Sequence, residues 1–147
     1  MLEHLTKRFT INQSEIEKAA IKRVAPEIAR LNTEKQLYQR GVDVRGQPLT
    51  PPYTARTKVI KARKGQPINR VTLRDTGELH KSIKVEPKDD AIYIEMFKVV
   101  GGDDIAEKLR QKYNQQFEGL MDESITELVT KVKPVFIELV KDALVTQ

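Results

Sequence analysis

The chain has 147 residues, 32% of them charged, with a net charge of +5, no tryptophan and no cysteine. That length supports one domain with an aliphatic core, and the missing cysteine excludes a disulfide framework or a thiolate metal site. With His4 and His80 as its two histidines an all-histidine site is excluded as well, so neither metal nor cofactor is expected. MLEHLTKRFT lacks the apolar run of a signal peptide, and no stretch approaches the ~20 apolar residues of a membrane helix, which predicts a soluble, cytoplasmically made protein with no membrane contact.

Leu5 and Phe9, four apart, suggest a first helical turn in an otherwise loose lead-in. Ser14 and Glu17 form a capping box, and Ile16, Ala20, Val24, Ile28 and Leu31 then recur at three or four residues, predicting an amphipathic helix from about Ser14 to Tyr38. Pro26 predicts a kink or a restart within it. GVDVRGQPLTPPYTART (residues 41–57), with two glycines and three prolines, reads as a loop, and the whole of 41–70 as an arm projecting from a single domain of residues 1–147. Within it, Thr57 is a candidate cap for a short basic helix over 58–64, closed by Gly65 in the left-handed conformation.

VTLRDTGELHKSI (residues 71–83) begins with a strand-like alternation at Val71 and Leu73 and turns at Asp75-Thr76-Gly77. We expect a structural corner there. Asp75 or Thr76 accepts from the free N–H groups of the following helical turn, Gly77 supplies a positive φ, and Leu79, Ser82 and Ile83 face a buried side. His80 is expected at the surface or an edge. Two β-rich runs, 83–85 and 91–97, flank Glu86-Pro87-Lys88-Asp89-Asp90 and predict a hairpin with a five-residue turn. Ile92, Ile94 and Met96 share one face of its second strand and Tyr93, Glu95 and Phe97 the other; both are partly apolar, which allows cover on both. Gly101-Gly102 is a break, Asp103 or Asp104 caps a helix to about Tyr113, and a long amphipathic helix follows over 122–145, with a stripe at Ile125, Leu128, Val132, Val135 and Leu139. Pro134 predicts a kink or two half-helices. The fold class expected is α+β: amphipathic N- and C-terminal helices around a small antiparallel sheet, with the proline-rich basic arm.

Charge is unevenly spread. From Val44 to Arg74 there are eight bases and no acid, whereas 101–147 carries nine acids against six bases. Such a polarity suits either nucleic acid or a second copy whose acidic part meets the basic part. The candidate partner-binding residues are Arg56, Lys58, Lys61, Arg63 and Lys64. A hydrolase built on Asp75, His80 and Ser82 is disfavoured, because positions 80 and 82 of a short helix point apart.

GQPLTPPYTARTKVIKARK followed by VTLRDTGELHKSI resembles the virion morphogenesis and tail-completion proteins of tailed bacteriophages: a glycine-proline loop, a Tyr/Thr…Thr…Lys run, then Leu-x-Asp-Thr-Gly-x-Leu-x-x-Ser-Ile. The likeness covers residues 41–85, and Leu49 stands where such proteins often carry an aromatic. FEGL (residues 117–120) with the helix after it is similar to the C-terminal part of such proteins. The resemblance implies a non-enzymatic virion protein of the neck or tail that oligomerises, commonly as a ring, beside portal, neck or tail proteins, assembled in the host cytoplasm. It leaves neck, tail terminator and minor capsid positions open. The alternative from another class is a basic DNA-binding accessory protein whose 56–64 segment tracks phosphates, although no helix-turn-helix spacing or aromatic pair accompanies it.

Overall fold

Asn12 opens the first helix of the described residues. In the computed structural model, which describes residues 12–145, its side chain accepts from the Glu15 N–H at 3.2 Å and caps α1, Gln13–Arg30. The Ser14–Glu17 box is displaced by this cap two residues upstream, and Ser14 lies inside the helix. Leu5, Phe9 and His4, with the lead-in turn expected there, lie outside the described residues. α1 continues through Pro26 as one element, and the departure from α geometry comes at Leu31 instead.

Residues Leu31–Arg40 form a π-helix, ending at Gly41 with φ +63°. The i→i+5 bonding of a π-helix widens each turn, which brings Asn32 and Gln36 to one side, both fully buried. Asn32 Nδ2 donates to the carbonyls of Phe117 and Gly119 at 2.8 and 2.7 Å. Gln36 Nε2 donates to the Phe117 carbonyl at 3.3 Å, and its Oε1 accepts from the Met121 N–H at 3.2 Å. The polar residues of this helix are therefore a clamp on the loop over 114–121, where they stand in for secondary structure as its hydrogen-bond partners.

Residues 41–54 do not project as the expected arm; they lie on the body. Leu49 is buried in the core with Leu37, Val71 and Phe117. The loop's backbone is satisfied locally and across the fold: Asp43 Oδ1 accepts from the Arg45 and Gln47 N–H groups, and the Val44 and Thr50 N–H groups donate to the Gln116 carbonyl and Gln115 Oε1. These bonds remove the reason for a long segment to stay solvated. The Thr50–Pro51 peptide is cis. The basic helix α2 is Ala55–Arg63, capped by Thr54, whose Oγ1 accepts from the Thr57 N–H at 3.3 Å, so the cap falls three residues before the one expected. Gly65 has φ +69°, as the sequence suggests.

The expected strand through Val71 and Leu73 is absent. Leu73 has φ +54°, which no ladder accommodates, and side chains replace a partner strand. Tyr53 Oη accepts from the Thr72 N–H at 2.9 Å, and the Thr72 carbonyl bonds His80 Nε2 at 2.9 Å. The corner itself forms as read: Gly77 has φ +89° and precedes the single-turn helix α3, Glu78–Lys81, while Thr76 Oγ1 accepts from the Glu78 N–H at 3.3 Å.

Strands β1, Lys84–Lys88, and β2, Ala91–Glu95, pair antiparallel in the register Val85↔Ile94 and Pro87↔Ile92. The strands run further toward the tip than expected, and the turn shrinks to Asp89-Asp90, with Asp89 at φ +54°. Gly101-Gly102 is more than a break: it turns a second small hairpin, β3 (Val99–Val100) with β4 (Asp103–Asp104). Asp104 then caps α4, Ile105–Tyr113, accepting from the Glu107 N–H at 3.0 Å. The last helix, α5, is Asp122–Val145, running through Pro134 as one element. The fold is α+β, with two two-stranded antiparallel sheets among the described residues.

Two cores hold it. One gathers Leu37, Leu49, Val71, Leu79, Met96 and Phe117; the other joins Ile28 and Leu31 to Leu128, with Val85, Ile94 and Val132 packed on it. α1, the β1–β2 hairpin and α5 meet in the second. Ion pairs tie α5 to the π-helix and to α1: Lys35 with Glu127 at 2.9 Å and Arg40 with Glu123 at 2.7 Å from the first, and Lys131 with Glu27 from the second. Hydrogen bonds from Arg30 and then Lys131 push the Glu27 carboxyl down to about 2.

Candidate partner-binding surface

An amphipathic helix on a protein surface ordinarily turns its aliphatic residues inward and its charges outward. α2 departs from this at three adjacent positions. Lys61 is 7% exposed, while Val59 and Ile60 are 51% and 44% exposed. The inversion has a local cause: the Lys61 ammonium donates to the Arg74 carbonyl at 2.8 Å and to Gln66 Oε1 at 3.1 Å, and lies 4.8 Å from the centre of the Tyr53 ring. A buried ammonium is tolerated where its donors are used in this way. Lys64 reaches the Asp75 carboxylate at 2.5 Å and holds it below its ordinary range, and Gln66 Nε2 donates to the Asp75 carbonyl at 2.7 Å. α2 is thus fastened to the 74–77 corner by its own lysines.

The five predicted partner-binding residues divide accordingly. Lys61 is buried against the body, and Lys64 is exposed but engaged by Asp75. Arg56, Lys58 and Arg63 are exposed and make no ion pair among the described residues. Arg56, Val59, Ile60 and Arg63, at i, i+3, i+4 and i+7, share one face of the helix that is both basic and apolar, and Lys58 lies off it.

The corner residues perform structural tasks. Ser82 Oγ donates to the Leu79 carbonyl at 2.5 Å and accepts from the Phe97 N–H at 3.0 Å. His80, expected at the surface, is buried, and its Nε2 meets the Thr72 carbonyl. Asp75, His80 and Ser82 therefore each bond a different partner and do not converge. Beside them Tyr53, Lys61, Leu73, Leu79, Leu109 and Tyr113 line a groove of about 210 Å³. Among the described residues no group of His, Asp and Glu is arranged to hold a metal ion, and no helix is long and apolar enough to cross a membrane.

Burial moves the His80 imidazole below its ordinary value of 6.5. The unfolded chain then binds the proton more readily than the folded one, so this residue's contribution is complete above pH 6.5 and is lost as pH falls through the depressed folded value. We expect the urea midpoint to fall between pH 7 and pH 5, and His80→Gln to flatten that fall. Identical pH profiles for the two proteins would contradict it.

The open face of the β1–β2 hairpin was not legible as a surface in the sequence. Tyr93 and Phe97, 47% and 50% exposed, share it with Lys84, Glu86, Lys88 and Glu95 around a depression of about 390 Å³. Among the described residues it is the Ile94 and Met96 side of the strand that is packed. The Tyr-x-Glu-x-Phe alternation marks this face but carries nothing that says whether the fold covers it. No family model, curated protein or solved structure matches the chain.

Proposed function

We propose that this chain is a structural subunit of a tailed-bacteriophage virion, of the neck or tail-completion type, which associates head to tail with copies of itself in a closed ring and contacts other virion proteins such as portal, neck or tail proteins. The observation that carries this reading is α2, where Val59 and Ile60 face solvent beside Arg56, Lys58 and Arg63 while Lys61 is turned inward. Exposed ion pairs contribute only ~0–1 kcal/mol each, so an assembly contact needs apolar area beside its charges, and this helix offers both. The resemblance of residues 41–85 to virion morphogenesis proteins supplies the class. Self-pairing of α2 about a two-fold axis sets like charges against each other, which favours a heterologous contact. In this reading the chain is not an enzyme, and it resides in the virion.

Arg56, Lys58 and Arg63 on one exposed helix also favour a second reading, a protein that tracks DNA phosphates. Sedimentation velocity of the purified protein at low and high salt, with and without duplex DNA, separates the two. The ring reading expects one discrete multi-chain species without DNA, weakened by salt. A monomer at every concentration that binds duplex with a steep salt dependence supports the second reading and overturns the first.

A further inference from the structure

The contact between copies has two sides, and the structure carries an inference about the second; it rests on the ring reading above. By sequence alone the acidic partner of α2 lies in residues 101–147. In the fold those carboxylates are largely engaged within the chain: Glu123, Glu127 and Glu138 by Arg40, Lys35 and Arg23, Asp103 by Lys108, and Glu107 and Glu118 by Arg110. Four acids that form no ion pair among the described residues lie together on the β1–β2 hairpin: Glu86, Asp89, Asp90 and Glu95, all exposed. Lys84 stands directly across the ladder from Glu95, yet its ammonium lies 4.9 Å over the Phe97 ring and leaves Glu95 open. Lys84 to Glu95 carries four acids and two bases, a net of −2, against +3 for Arg56, Lys58 and Arg63.

We infer that α2 of one copy seats on the open face of the β1–β2 hairpin of the next, with Val59 and Ile60 against Tyr93 and Phe97, Arg56 and Arg63 toward Glu86, Glu95 and the Asp89-Asp90 tip, and Lys58 at the flank of the contact. Each side combines half-exposed apolar residues with charge: the hairpin is net negative, through Glu86, Glu95 and the Asp89-Asp90 turn and in spite of Lys84 and Lys88, and α2 is net positive. The lengths agree: nine helical residues span about 14 Å, and a five-residue strand about 17 Å. The two surfaces are different parts of one chain, so a heterologous contact between them leaves one of each open on every added copy and repeats from copy to copy.

The test uses charge reversal on each side of the full-length protein. One variant carries Arg56→Glu, Lys58→Glu and Arg63→Glu; the other carries Glu86→Lys and Glu95→Lys. All five positions are exposed, and circular dichroism with urea unfolding verifies that each variant folds as the parent does. Each variant alone should sediment as a monomer, because its altered surface repels the intact one on its neighbour. Their equimolar mixture should assemble with both chains in equal amounts, since the acidic α2 then meets the basic hairpin and the unaltered pair is also complementary. Should a reversal variant not fold, the glutamine versions at the same five positions should weaken assembly at least ten-fold. Variants that assemble like the parent, or a mixture that stays monomeric while the parent assembles, would overturn this contact and leave the ring reading standing. A parent that is monomeric at all concentrations would overturn both.

Discussion

Gly41→Val should be among the most damaging single substitutions in the chain, lowering the unfolding free energy by about 2–5 kcal/mol, the sum of left-handed strain and overpacking. Gly41 has φ +63°, and a Cβ placed on it would stand 2.7 Å from the Val71 carbonyl oxygen and 2.9 Å from Arg70 Cβ. The first of these is backbone and cannot swing aside. The same residue closes the π-helix through its N–H to the Leu37 carbonyl and receives the Leu49 N–H on its own carbonyl, so any shift is passed to the loop that buries Leu49. Gly77→Val isolates the conformational part: φ is +89°, but the nearest atom to its Cβ is Arg74 Nε at 3.7 Å, the end of a flexible side chain. Its cost should be about 1–3 kcal/mol. Urea denaturation orders the two, and equal midpoints for the two variants would contradict the close approach of residues 41 and 71.

Phe117→Ala should remove about 3–5 kcal/mol, a large share of the ~5–15 kcal/mol of a typical domain. Phe117 is 2% exposed and sits in the larger core beside Leu37, Leu49 and Val71. Its carbonyl is also the point that both Asn32 and Gln36 grip. A cavity at this position therefore loosens the π-helix, the 41–54 loop and the approach to α5 together. Phe117→Leu keeps most of the apolar volume and should lose clearly less. A Phe117→Ala variant within about 1 kcal/mol of the parent, below the usual cost of a large-to-small core change, would mean that the clamp holds the loop without the ring.

What the sequence made legible was what local chemistry decides. The span of α5 follows from its long apolar recurrence, the cap at Asp104 from an aspartate three residues before Glu107, and Gly65 and Gly77 from positions where the chain reverses. Decisions made by distant residues were not legible. Nothing in LNTEKQLYQR distinguishes a π-helix from an α-helix; the wider turn is selected by the Phe117, Gly119 and Met121 main-chain groups that Asn32 and Gln36 reach, more than 80 residues away. Val71 and Leu73 alternate like a strand, but Tyr53 and His80 take the hydrogen bonds a neighbouring strand would have taken. On α2, Arg56, Lys58 and Arg63 are exposed. Lys61 is not, and this was not legible, because a helical lysine facing the Arg74 carbonyl has the same local sequence as one facing water. Net charge has the same blindness: it counts the carboxylates of residues 101–147 without regard to the cations of α1 and the π-helix that pair with those of α5.

Native mass spectrometry of the purified protein, at low ionic strength and near-neutral pH, tests the central claim most directly, since it counts chains per particle. The ring reading predicts one closed stoichiometry greater than two that is unchanged over a wide range of protein concentration, with monomer as the main product when salt is raised. A monomer throughout, or a two-fold dimer that persists when Arg56, Lys58 and Arg63 are replaced by glutamine, would contradict it.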